Sequence, residues 1–209
     1  MRDLGIIISK KLDFNTHCSV IARKANNILR NIRRCFKGHT NEFYVKLYTT
    51  YVRPLLESNT AIFNPHTIQN IDLLESVQRK FTKFLTGLFD VPYQDRLAIL
   101  NLQSLEERRV VNDLCCFFKV RHHTMRLDID KYFVFRSNSV TRGHPFKILK
   151  PYARTDTQKY YWANRIIDIW NQLPADVFNC NEVGLFRKKL SIHESLSSYC
   201  KGSMYSDSN

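Results

Sequence analysis

Arg23, Arg30, Arg34 and Lys37 are the side chains in this 209-residue sequence whose type and spacing point most directly to a chemistry. They lie in NTHCSVIARKANNILRNIRRCFK, Asn15 to Lys37, a stretch with no Asp or Glu. At about 100° per residue they gather on one side of a helix, opposite an apolar stripe of Cys18, Ile21, Ala25, Ile28, Leu29, Ile32 and Phe36. A solvated helix face usually mixes both signs, because like charges at i,i+4 repel by a few tenths of a kcal/mol. Two readings follow: a soluble face that is basic by chance, or a face against which an anion lies. A nucleic-acid phosphate backbone is the sharper candidate. A second group, Arg142, Lys147, Lys150 and Arg154, offers a looser contact of the same kind, with Tyr152, Tyr160 or Tyr161 as stacking rings and Tyr161 the one expected to pack inward.

Other chemistries lack their residues. There is no Gly-rich phosphate loop, no HExxH, no GxSxG and no distinctive paired carboxylate. Glu106-Glu107 sits in the first turn of an expected helix, where the dipole favours acids, and Asp128 with Asp130 is too small a set for a dedicated Mg²⁺ site. The histidines are scattered; His17 falls at a helix start and His122-His123 at a helix end. Cys35, His39, Cys115, Cys116, His122 and His123 match no standard zinc spacing. No catalytic residue, metal or cofactor is assigned.

Composition sets wider bounds. With 44% hydrophobic and 12% aromatic residues the chain can bury one sizeable core or two small ones. The net charge of +13 is unevenly spread: residues 1–60 carry 11 basic and 4 acidic groups, 61–130 carry 9 of each, and 131–209 carry 12 and 6. Two basic ends around a neutral middle suit contact with a polyanion. The six cysteines form no CxxC pair and fall largely on apolar faces, which predicts reduced thiols in an intracellular protein, in nucleus or cytoplasm. No apolar run spans a bilayer and no signal sequence is evident, so no membrane partner is expected.

The elements follow from periodicity and punctuation. Leu4 to Ile8 reads as a lone strand, with Lys10 to Asp13 turning into the basic helix. After Gly38, Thr40 or Asn41 caps a helix whose Phe43, Val45, Leu47, Tyr48, Tyr51, Val52, Leu55 and Leu56 cover over half its surface, predicting a buried central helix kinked or ended by Pro54. Thr67 opens a helix to about Leu85, with Leu74, Val77, Phe81, Phe84 and Leu88 inward and Asp72, Glu75, Arg79 and Lys83 outward. A short helical piece spans Gln94 to Leu100, and Ser104 caps a helix to about Val120. Residues 122–156 lose helical period and read as a basic linker or small hairpin. Helix formation resumes near Thr157, with Tyr161, Ala163, Ile166, Ile167, Ile169 and Trp170 as an apolar surface that stops before Pro174, and a last helix runs from about Glu182 to Leu196.

Several of these segments together resemble the C-terminal part of reverse transcriptases from jockey-like non-LTR retrotransposons, the LINE elements. They are DLGIIISKKLDF (Asp3 to Phe14), YVRPLLE (Tyr51 to Glu57), LLESVQRKFTKFLTGL (Leu73 to Leu88), LQSLEERRVVNDLCCFFKV (Leu102 to Val120), NRIIDIWNQLPADV (Asn164 to Val177) and FRKKL (Phe186 to Leu190). The ordered series covers residues 3–195. The family's metal-binding Y-x-D-D turn has no counterpart in this sequence, and neither do the fingers and palm, so the resemblance implies no polymerase activity for this chain.

The combined expectation is a mainly α fold. A thumb-like helical bundle with a short N-terminal strand is joined by a basic linker or hairpin to a second, smaller helical part. In the terms of the resemblance, residues 1–14 are a strand and turn left from a truncated palm, 15–121 the thumb, 122–156 the linker, 157–199 C-terminal helices and 200–209 a disordered tail. The thumb would hold an RNA–DNA or DNA template-primer duplex by its backbone, with the missing fingers and palm as a further partner. The competing expectation is a helical protein-interaction module or a non-functional truncated element product.

Overall fold

A computed structural model of the chain describes residues 2–3, 5–10, 13–122, 124–125, 127–136, 144–192, 196 and 199–200. The fold is mainly helical, with a short antiparallel β-ribbon at the N-terminus. It divides into two compact units. Among the described residues, the first comprises those of 1–59 and 65–108, and the second those of 60–64 and 109–200.

The first unit opens with β1 (Arg2–Asp3) and β2 (Ile6–Ile7), paired in the register Arg2 to Ile7 and Asp3 to Ile6. The expected lone strand is therefore the second arm of a hairpin, turned at Gly5 with φ +86°. A partner four residues upstream satisfies the backbone groups that a single strand would leave open. Ile6 is buried, and the Ile7 N–H donates to His17 Nδ1 at 3.3 Å.

Helix α1 (Asn15–Cys35) buries His17, Cys18, Ile21, Ala22, Ala25, Leu29 and Ile32, so five of the seven residues of the expected stripe are buried, while Ile28 is half-buried and Phe36, beyond the helix end, is exposed. That stripe packs on α4 (Ile68–Phe84) and α3 (Arg53–Glu57). Between them runs α2 (Asn41–Leu47), capped by Thr40 Oγ1, which accepts the Phe43 N–H at 3.4 Å. The helix neither breaks nor ends at Pro54. A π-helical turn over Tyr48–Val52 leads into α3, with Pro54 in its first turn where a missing N–H costs little. The same turn explains why only Tyr44, Tyr48, Val52 and Leu56 are fully buried. Residues four apart drift by about 40° per step on an α-helix, and the wider π turn cancels part of that drift. The expected broad apolar face is thus a narrow one, and Tyr51 is exposed.

Helix α4 corrects a second expectation. Glu75 does not share an outer face with Asp72, Arg79 and Lys83; it is 6% exposed. Arg79 pairs with Asp72 instead, at 3.3 Å. Helix α5 (Tyr93–Ile99) follows, and α6 (Leu105–Arg121) begins with Ser104 Oγ accepting the Glu107 N–H at 3.2 Å.

The second unit has its own core, of Val111, Leu114, Phe117, Phe118, Phe133, Ile148, Trp162, Ile166, Trp170 and Phe186 among others. The unit boundary falls inside α6, between Arg108 and Arg109, rather than at residue 122. A helix stays continuous when one end buries Leu105 in one core and the rest buries Val111, Leu114 and Phe118 in another. Of the two alternatives for residues 122–156, the described part pairs as a hairpin, with an antiparallel bridge between Phe135 and Ile148. The Leu149 N–H donates to Val134 O at 2.8 Å and the Arg136 N–H to Lys147 O at 3.0 Å. Here Phe133 and Ile148 are core residues, not linker.

The helical stretch expected from Thr157 to Pro174 is divided into three short helices: α7 (Asp156–Lys159), α8 (Trp162–Arg165) and α9 (Ile167–Gln172). Trp162, Ile166 and Trp170, four apart in sequence, all reach one core. Tyr161, at the break, is exposed rather than packed inward. A 3₁₀ turn over Ala175–Phe178 and α10 (Val183–Ile192) complete the unit, and Cys200, assigned to a disordered tail, is buried.

Candidate nucleic-acid interface

The surface of interest begins with α1. Its buried stripe fixes the helix rotation, so the residues half a turn away must face outward. Arg23, Arg30 and Arg34 are exposed on that side, and Lys37 is exposed just beyond the helix end. Among the described residues, no carboxylate lies within ion-pairing distance of any of the four. They are neither scattered around the helix nor neutralised internally.

The tertiary structure adds cations that the sequence reading left out. A groove of about 1060 Å³ runs along one flank of α1. Arg23, Arg30 and Arg33 line it from α1, and Lys80 and Lys83 line it from α4. None of its lining residues is acidic. Arg34 and Lys37 lie outside the lining, so the four predicted residues divide into two that border the groove and two that do not. Asn26 and Asn27 add amides to the α1 wall.

The floor of the groove is apolar. Leu29, Phe81 and Leu85 form it and are themselves buried, whereas Phe84 is half-buried and Phe89 is 65% exposed. The Arg33 guanidinium lies 4.2 Å from the centre of the Phe84 ring, and Lys83 Nζ lies 4.6 Å from that of Phe89. These cation–π contacts hold charge over apolar surface without consuming it in an ion pair. The loop carrying Phe89 is tied down by Asn41: its Nδ2 donates to Thr86 O at 3.0 Å, and its Oδ1 accepts the Thr86 N–H at 3.1 Å. Gly87, with φ +79°, makes the turn.

Arg33 was legible as a basic residue 10 positions beyond Arg23, on the flank of the stripe rather than in it. Lys80 and Lys83 sit at i,i+3 on a helix whose charges looked balanced. The sequence leaves residues 76–84 without an acid, and the structure shows that the two acids of α4 are engaged elsewhere, Glu75 by burial and Asp72 by its pair with Arg79.

The second predicted group fares differently. Lys150 is ion-paired with Asp168, which offsets its charge. Lys147 is half-buried and Arg154 is exposed, while Arg142 lies outside the described residues. Tyr152 is 85% exposed. Among the described residues, no cluster of three or more His, Cys, Asp or Glu could hold a metal ion, and every described cysteine is a free thiol. No helix of the described residues is long and apolar enough to cross a membrane.

Comparison with known proteins yields one relative at low identity. The chain is 29% identical over 123 residues to an uncharacterized Caenorhabditis elegans protein, B0403.1. The match takes in 57% of this chain and 62% of that protein, so the chain spans under two thirds of its relative's length. No protein-family model matches the chain, and no solved structure matches it.

Proposed function

We propose that this chain binds nucleic-acid duplex through the sugar-phosphate backbone, without base specificity, in the manner of the thumb and C-terminal extension of a jockey-like non-LTR reverse transcriptase. The observation that carries this reading is the all-cationic exposed side of α1, extended across the groove by Lys80 and Lys83, with no acid among the lining residues. Surface arginines present a planar fork to phosphate oxygens and stay charged at any physiological pH. A helix bearing them at i, i+7 and i+11 follows a duplex backbone rather than reading bases. The ordered sequence segments that resemble the polymerase family support the same role. The Y-x-D-D carboxylates that would bind catalytic metal are not in the sequence, so the proposed role is to hold the duplex, with no nucleotidyl transfer by these residues. The partner is an RNA–DNA or DNA duplex, and the place of action is inside the cell.

The test is a titration of an RNA–DNA duplex with the whole chain across a range of KCl. Four neutralised phosphates give a slope of about −3 to −4 in log affinity against log salt. Changing Arg23, Arg30, Arg34 and Lys37 together to Gln flattens that slope. Binding that survives the four changes undiminished removes the assignment of this surface.

One observation favours a protein-interaction reading for the second unit. Val134 and Leu149 are hydrogen-bonded neighbours on the hairpin and both are exposed, at 61% and 44%. Adjacent exposed aliphatic side chains beside Tyr132 and Tyr152 offer surface to another protein. Size measurement in solution distinguishes self-association through this patch from a monomer.

A further inference from the structure

We propose that the groove between α1 and the Leu85–Phe89 loop is a site for unpaired nucleotides, holding a single-stranded extension with bases against Phe84 and Phe89 and phosphates on Arg30, Arg33, Lys80 and Lys83. This rests on the nucleic-acid reading above and adds a second ligand form to it. A duplex cannot use such a groove fully. Its bases are already stacked on one another and it offers only phosphate and sugar to a helix face, so exposed rings inside a cationic groove would have nothing to meet. Unpaired bases have free π-faces, and base–aromatic stacking is tolerant of sequence.

Size and composition agree. At about 1060 Å³ the groove lies at the upper end of the usual range for ligand pockets, about 300–1,000 Å³, with room for more than one nucleotide. Most of the aliphatic floor is already buried, Leu29 at 7% and Leu85 at 3%, and Leu73 alone of the lining aliphatic side chains is half-buried, so the exposed ring of Phe89 is the main apolar surface left to a ligand. An amphipathic acidic helix needs several aliphatic pockets at helical spacing, and Leu73 by itself does not supply that row. Arg33 and Lys83, held over the two rings, are placed to meet a phosphate while a base stacks beside them. Asn26 and Asn27 on the opposite wall carry both donors and acceptors for base edges.

The experiment compares the whole chain's affinity for a blunt RNA–DNA duplex and for the same duplex with a tail of about four unpaired nucleotides. The tail is expected to tighten binding about tenfold, the worth of one stacked base. Phe89→Ala lowers the ratio of tailed to blunt affinity several-fold, and Phe89→Trp restores it. Because Phe89 is exposed, neither change disturbs the core. A tail that adds nothing to a duplex that binds overturns the groove site and leaves the backbone reading standing. A free single strand that binds with Phe89 dependence, while blunt duplex does not bind, keeps the groove site and removes the backbone reading. A Glu-rich amphipathic peptide that binds more tightly than the tail, with the same dependence on Phe89, assigns the groove to protein and overturns the proposal.

Discussion

Glu75 of α4 caps α6 from the side: its two carboxylate oxygens accept the Leu105 N–H at 3.0 and 3.3 Å. Its Oε1 also accepts from the Tyr93 hydroxyl, which in turn accepts from Gln78 Nε2 at 3.0 Å, and Gln78 Oε1 accepts from the Tyr48 hydroxyl at 2.7 Å. A chain of four polar side chains thus crosses the core of the first unit, and burial pushes the Glu75 carboxyl up to about 7 despite those hydrogen bonds.

The first prediction is a pH dependence. A folded-state value near 7, above the ordinary 4.5, means that the folded chain holds the proton more tightly than the unfolded chain. The stability associated with Glu75 is therefore complete below about pH 4.5 and is lost as pH rises through 7, by up to ~3 kcal/mol. Urea unfolding between pH 5 and pH 8 reads this, and Glu75→Gln flattens the profile over that window. A profile as steep in the variant as in the parent rules out Glu75 as its source.

A second prediction concerns the ion cluster of the second unit. Arg165 donates to both oxygens of Asp113, at 2.9 and 3.0 Å, and also to Tyr160 O at 3.1 Å and to Thr60 O. Asn64 Nδ2 reaches the same carboxylate at 3.3 Å, so residues 60–64 are pinned to this unit through one guanidinium and one carboxylate. Removing either charge leaves the other without its ion-pair partner in a largely buried site. Arg165→Met or Asp113→Ala should each cost about 3–5 kcal/mol, and the double variant less than the sum. Additive losses in denaturant midpoints would show that the two groups act independently.

A third prediction separates the two basic groups. Arg34→Gln removes an exposed cation with no described ion pair, and should lower the salt slope of duplex binding by about one. Lys150→Gln removes a cation already paired with Asp168, and should leave the slope unchanged. Equal effects in a KCl titration would contradict the assignment of the duplex to α1.

A fourth concerns the clamp on the groove wall. Asn41→Ala deletes both hydrogen bonds to Thr86. They are exposed, so the loss in stability should be small, about 1 kcal/mol by thermal melting. The readout with more reach is hydrogen exchange at Leu85–Phe89, which should quicken while that of α1 does not. Equal exchange in parent and variant would show that the loop is held by other contacts.

The sequence by itself determined the helical character, the rotation of α1 and the capping of α2 and α6. These follow from short-range rules: apolar spacing near 3.6, Thr40 and Ser104 at helix starts, Gly38 and Gly87 where φ is positive. Arg23, Arg30 and Arg34 were placed on one exposed side for the same reason, since a helix with one greasy stripe has only one way to face a core. Only the tertiary structure decided the rest. Whether Glu75 faced water or the core depended on Tyr93 and Leu105, residues 18 and 30 positions away. That Arg33 joins Lys80 and Lys83 across a groove, that Lys150 is paired with Asp168, and that α6 serves two cores are likewise facts about partners remote in sequence. Periodicity reports which way a side chain points from its own helix; it carries no information about what stands opposite.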